Sequence, residues 1–304
     1  MIMPIDPPDA NVPQAALDEL NRRLAGVTQA HNTAADPEMG GLSAEQVARL
    51  IYSEWGATGS PVRFNTAVPL VELESATFFR ETRTLLKALL DSGGVPATSS
   101  KNLSRAFVSA VHPLICDEKA LDEIHRYRKT VNEQDVRPLH IGRVVAQAAG
   151  LIRLHKGKFM LPRAKAALLT DDQAGELYRC LFIAFFRKFN LAYAHPFAVD
   201  ADGLQTCAGY TLYRLGIVAA DWLAMDALPE HALLRAVRDE IEAGIRGHVY
   251  WTVSRVATGR LVSPLTEWGL LEGRYEPLSD FARELKAVRI TPLYRAFLRF
   301  DLQA

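Results

Sequence analysis

Apolar residues recur at helical spacing along most of this 304-residue chain. Between Pro13 and Leu24, Leu17, Leu20 and Leu24 share one face, and the Gln-Ala-His-Asn-Thr-Ala-Ala-Asp-Pro run behind them reads as linker. Ser43 and Gln46 stand at capping-box spacing ahead of a face made of Val47, Leu50, Ile51 and Trp55. Phe78, Leu85, Leu86 and Leu89 line a stripe from Phe78 to Leu90, which Ser92-Gly93-Gly94 ends. A short extended piece near Pro96–Thr98 precedes a helix over Asn102–His112, and the charged stretch Asp117–Asp135 predicts a solvated helix. Pro138 to Ala149 predicts a helix with Pro at its first position and Gly150 past its end. The period then changes. Leu151 to Leu161 alternates apolar and polar residues around Lys156-Gly157, the pattern of a short hairpin with a basic tip.

The second half returns to helical spacing, and the aromatic run Phe182, Phe185, Phe186, Phe189 and Tyr193 reads as a packed helix face. A short internal echo is present. Gly150-Leu151-Ile152 leading to Leu161-Pro162 resembles Gly269-Leu270-Leu271 leading to Ile290-Thr291-Pro292, although Pro264 interrupts the second helix. The expected fold is mainly α: a winged-helix-like N-terminal unit with a small β-hairpin wing, then a helical domain with a second winged-helix-like turn. The expected boundaries are a flexible segment over 1–40, a winged-helix-like domain over 41–172 and a helical C-terminal domain over 173–304.

Net charge is zero, but its distribution is uneven. Residues 1–96 carry 7 basic and 12 acidic side chains, residues 97–165 carry 13 and 6, and the remainder 15 and 17. The middle segment therefore holds the surplus positive charge. Cys116, Cys180 and Cys207 are odd in number and far apart, which argues against a disulfide framework and a CxxC zinc site, so no cofactor or metal is expected. His112 and Cys116 are four apart, yet Pro113 between them argues against a shared ligand face. No apolar run suits a bilayer and the first ten residues lack a signal-peptide pattern, so a cytoplasmic protein without a membrane partner is expected.

In winged-helix proteins the helix before the wing can enter the major groove while the wing meets the backbone. That assigns Arg137, His140 and Arg143 on the helix, Arg153, His155, Lys156 and Lys158 on the wing, and Lys101 and Arg105 on the preceding helix as candidate nucleic-acid contacts. The leading reading is a non-catalytic DNA- or RNA-binding protein. A second is a scaffold contacting another protein through its C-terminal half. A third is a hydrolase or small-molecule sensor with a pocket near Tyr193 and His195. HExxH, GxSxG, GxGxxG and P-loop patterns are absent from the sequence, so no catalytic residue is assigned.

The ordered segments GLSAEQVARLIY, SSKNLSRAFV, AAGLIRLHKGKFMLPRAKAALL, LFIAFFRKFNLAY, SPLTEWGLLE and ITPLYRAFLRF resemble an uncharacterised bacterial family. It is similar to the C-terminal region of plasmid ORF-three-like proteins, and the resemblance runs from about Gly41 to Phe300. It implies a bacterial cytoplasmic setting and carries over no catalytic residue. One position departs. Where the family pattern has Thr-x-x-Gly-Asn-Leu, this chain has Thr98-Ser99-Ser100-Lys101-Asn102-Leu103.

Overall fold

In the computed structural model, which describes residues 14–194, 199, 201–278 and 283–303, helices dominate and the sheets are small and antiparallel. Helix α1 (Gln14–Thr33) continues through most of the expected linker. Its sequence has no proline to stop it, and Ala35–Asp36 then pairs with Leu42–Ser43. Of the segment expected as flexible over 1–40, residues 14–33 are helical, and residues 1–13 lie outside the described residues. Helix α2 (Ala44–Tyr52) starts on the expected capping box, with both the Ser43 and Gln46 bonds formed. Strand β1 (Val62–Phe64) follows, and then helix α3 (Thr77–Asp91), which buries Phe78, Phe79, Thr82, Leu85, Leu86 and Leu89.

Strand β2 (Val95–Pro96) leads to α4 (Arg105–Ile115), α5 (Glu118–Tyr127) and α6 (Arg137–Ala148), then to β3 (Arg153–His155) and β4 (Lys158–Met160). The three strands form one sheet in the order β2–β4–β3. Helix α4 runs through Pro113, which sits in its last turn, while α5 buries none of its residues. Helix α6 stops as expected: Gly150 has φ 71° and donates to Gln147 O, and Leu151 donates to Ala146 O.

The same arrangement occurs again. After α7 (Ala174–Arg187), helix α8 (Ala208–Val218) leads to β5 (Leu223–Ala224), helix α9 (Arg235–Gly244) and a helical run from Val253 to Glu267. Strands β6 (Leu271–Pro277) and β7 (Arg283–Ile290) complete a sheet in the order β5–β7–β6. Gly269, with φ 69°, and Leu270 repeat the cap by donating to Thr266 O and Leu265 O. The registers correspond as well. Val95 and Leu154 flank Phe159 in the first sheet as Leu223 and Gly273 flank Val288 in the second. Pro264 is accommodated by a π-helical stretch, Thr258–Val262, directly before its segment, where the wider turn relieves the clash a proline ring makes with the preceding turn.

One continuous core joins these parts. Helix α7 lies at its centre, with Tyr178, Phe182, Phe185 and Phe186 fully buried, so this part of the aromatic run is packing; Phe189 is buried beyond the helix, and Tyr193 is 55% exposed. Trp268, from the end of the second unit's helical run, packs against Phe78, Tyr178, Phe182 and Phe185 at ring distances of 5.0–5.7 Å. Tyr178 donates its hydroxyl to Trp268 O at 2.6 Å. Strand β8 (Leu298–Phe300) pairs with β1. Among the described residues, no helix is long and apolar enough to cross a membrane.

Two glycine substitutions should separate strain from crowding. A Cβ at Gly150 would meet nothing within 4 Å, so Gly150→Val should cost only the left-handed strain, about 1–2 kcal/mol. At Gly269 the same strain adds to contacts of 3.1–3.2 Å with Ser75 and Ala76. Urea titrations should therefore show Gly269→Ala to be the more damaging change, and an unaltered midpoint for Gly150→Val would misplace the end of α6.

Candidate functional site

The hairpin β3–β4 turns at Lys156 (φ 47°) and Gly157 (φ 72°), two consecutive positive values, as a two-residue primed turn requires. Arg153 pairs with Met160 and His155 with Lys158, so Arg153, His155 and Lys158 share one face of the sheet. The opposite face carries Phe159 and Val95, both buried. The basic set thus lies on the outer face beside the half-buried Met160, while Leu154 on the inner face stays 37% exposed. Arg153, His155, Lys156 and Lys158 are all exposed.

The turn before α4 lies against the hairpin tip. Ala97 N donates to Gly157 O at 2.8 Å, and Lys101 N closes the turn on Thr98 O at 2.9 Å. Lys101 has φ 58°, the left-handed conformation that the glycine of the family pattern would adopt cheaply. The turn geometry is kept, and an exposed cation is placed beside the tip at the expense of backbone strain. Arg105 is exposed and donates to Asn132 Oδ1 at 2.8 Å. Among the described residues, no acidic group pairs with Lys101, Arg153, Lys156 or Lys158.

Helix α6 is placed differently. Its residues Leu139 to Arg143, Val145 and Ala146 are buried, wedged between α3 and α7. A Cβ at Gly142 would come within 2.9 Å of Thr82 Oγ1, so glycine sets how closely α6 approaches α3. His140 and Arg143, expected as surface contacts, are only 8% and 7% exposed and face Glu133. Glu133 Oε1 accepts from His140 Nδ1 at 2.7 Å and from Arg143 Nε at 2.6 Å, while Oε2 accepts the Leu103 amide. His140 Nε2 reaches Tyr193 Oη at 2.7 Å, and Arg143 stacks 5.1 Å from the centre of the Phe159 ring. Burial by itself would raise the Glu133 carboxyl, but hydrogen bonds from His140, the Leu103 amide and Arg143 outweigh it and hold the carboxyl below its ordinary value. Arg137, the third helix position, points toward the second unit and pairs with Glu267 at 3.4 Å.

Beside Arg137 a cavity of about 710 Å³ opens between α3, α5 and α6, lined by Glu81, Cys116, Ile124, Tyr127 and Arg137 among others. Burial, reinforced by the charge of Glu267, pushes Glu81 up to about 7. Burial also raises Glu267, against the opposing effect of Arg137. Chemically, this corner can hold a proton at neutral pH. Of the alternative pocket near Tyr193 and His195, Tyr193 is bonded to His140, and His195 lies outside the described residues. Sequence reasoning missed Glu81, Glu133 and Glu267; Glu133 stood out only as one of two acids in a basic stretch.

The segment from the start of α3 to the start of α7 is the part with a recognisable relative. Residues 74–175 match the family described as Y4jL N-terminal domain. The similarity therefore spans the first three-stranded unit and both the basic sheet face and the Glu133 cluster. No curated protein and no solved structure matches the chain.

Two carboxylates should act oppositely on stability. Glu133→Ala would leave Arg143 buried without its partner and should cost about 3–5 kcal/mol in chemical denaturation. Because the Glu133 carboxyl is depressed in the folded chain, its contribution is present above about pH 4.5 and lost as pH falls through the lower folded value. Glu81 is raised, so stability is greatest below 4.5 and is lost as pH rises through about 7. Comparing midpoints at pH 5 and pH 8, Glu81→Gln should lose less stability at the higher pH than the unmodified chain. An identical pH response would show that Glu81 is not strained at neutrality.

Proposed function

We propose that this chain is a non-catalytic nucleic-acid-binding protein built on two winged-helix-like units, and that it grips backbone phosphate through the outer face of the first sheet. The observation that carries this reading is the in-register row Arg153, His155 and Lys158, continued at the tip by Lys156 and Lys101, all exposed. Clustered cations on one face are what a polyphosphate chain requires. The burial of His140 and Arg143 changes the mode of binding: with α6 in the core, contact runs through the wing and the Thr98–Lys101 turn. Phosphate contacts position a protein without reading bases, so low sequence selectivity is part of the proposal.

The resemblance to the C-terminal region of plasmid ORF-three-like proteins, with the bacterial cytoplasmic setting it implies, belongs to this same reading. Three free thiols accord with a reducing compartment. A second reading, protein contact through the C-terminal half, rests on Tyr250 and Leu278, which are 81% and 67% exposed and line one groove.

Fluorescence anisotropy with labelled duplex and single-stranded oligonucleotides tests the proposal. Arg153→Ala/Lys156→Ala/Lys158→Ala should weaken binding strongly and lower the slope of log affinity against log salt by about 2–3. Lys101→Gly should stabilise the fold by about 0.5–1 kcal/mol by relieving the left-handed strain, yet bind less tightly. Equal affinity of the triple variant and the unmodified chain at low salt would remove the basis for the reading.

A further inference from the structure

Helices α4 and α5 are joined through an unusual contact between two imidazoles. His112, on α4, is 4% exposed, and its Nδ1 stands 2.9 Å from Val108 O. A carbonyl oxygen can only accept, so Nδ1 carries the proton and Nε2 keeps its lone pair. That lone pair faces Nε2 of His125, on α5, at 3.4 Å, with the ring planes at 88°. At 3.4 Å a nitrogen-to-nitrogen hydrogen bond is a long one. Two imidazole nitrogens bound to one tetrahedral zinc ion, each at about 2.0–2.1 Å, stand about 3.3–3.4 Å apart. The separation therefore matches that of two nitrogens sharing one metal ion.

Other features of the pair agree. Donation of Nδ1–H to a backbone carbonyl is the outer support that orients a metal-binding histidine and fixes its tautomer. His125 is exposed, so an ion can reach the pair from solvent. Pro113, which in the sequence argued against ligands in this region, leaves α4 helical as far as Ile115, and His112 remains on its inward face. Helix α5 buries no residue of its own and supplies Ala120, Glu123, Ile124 and Tyr127 to the wall of the 710 Å³ cavity. Ile124 is its one apolar residue packed partly against the core, so a polar clip to α4 would add to a slender attachment.

We infer that His112 and His125 form a two-histidine site for a divalent transition-metal ion, zinc by preference, that clips α5 onto α4 and so holds one wall of the cavity. Among the described residues, no group of three or more His, Cys, Asp or Glu side chains is placed to hold a metal. Two ligands come from this pair, and the remaining coordination positions are left to water. Such a site binds more weakly than a closed four-ligand site and is not needed for the core to form.

Metal-free full-length protein titrated with zinc chloride against a competing indicator should bind one ion per chain through this pair. Zinc should also slow amide exchange across residues 118–127. His125→Ala, at an exposed position, should weaken that binding by at least about tenfold and abolish the exchange effect. His125→Cys, which restores a ligand atom, should retain both. Zinc binding by His125→Ala that equals that of the unmodified chain would overturn the inference, as would α5 exchange indifferent to zinc in the unmodified protein.

Discussion

A carboxylate buried at a junction of backbone and helix is the constraint on which the first unit depends. Glu133 is 1% exposed and ties together the chain entering α4, through the Leu103 amide, and two successive turns of α6, through His140 and Arg143. Arg143 passes the constraint to the hairpin by stacking on Phe159, and His140 passes it to Tyr193. Removing such an ion from water is expensive unless every lone pair finds a donor. The cluster offsets that cost with three donors: one guanidinium, one imidazole and one amide. It therefore fixes the register of α6 beneath the sheet, and it keeps the helix before the hairpin in the interior.

The basic face owes its exposure to that burial. With Phe159 and Val95 fixed inward, strand alternation leaves Arg153, His155 and Lys158 only the outer side. Lys101 extends the field because its turn is bonded to the hairpin tip, and it does so from a conformation that glycine would occupy more cheaply. The second unit repeats the strand order and the glycine cap, but its outer face differs. There Arg289 is paired with Glu272, and Arg274 and Arg289 both stack on Trp222, so its cations are already engaged.

The two units are held together by aromatic packing and by a long-range strand pairing. Trp268 ends the helical run of the second unit and sits among rings contributed by α3 and α7, and Tyr178 accounts for its carbonyl. The pairing of β8 with β1 then connects the last strand to a segment that precedes the first unit. Contacts this distant in sequence leave no local periodic signal. One core runs through residues on either side of position 172.

Local chemistry was legible in the residues themselves. The Ser43–Gln46 cap, the stripe of α3, the stop at Gly150 and the Lys156-Gly157 turn each depend on neighbours a few positions apart, so their spacing in the sequence is enough. The echo at Gly269 was legible for the same reason, and the structure added what spacing cannot encode, the matching registers of two three-stranded sheets. The direction of α6 was decided only in three dimensions. Its basic residues share the spacing of a surface stripe, and nothing in their order tells that Glu133 waits behind them to satisfy two of the three. The same holds for Glu81 and Glu267, far apart in the chain and brought to one corner by packing, and for the two imidazoles of α4 and α5. Periodicity reports which side of an element is apolar; whether a charged residue meets water or a buried partner depends on what the rest of the chain packs against it.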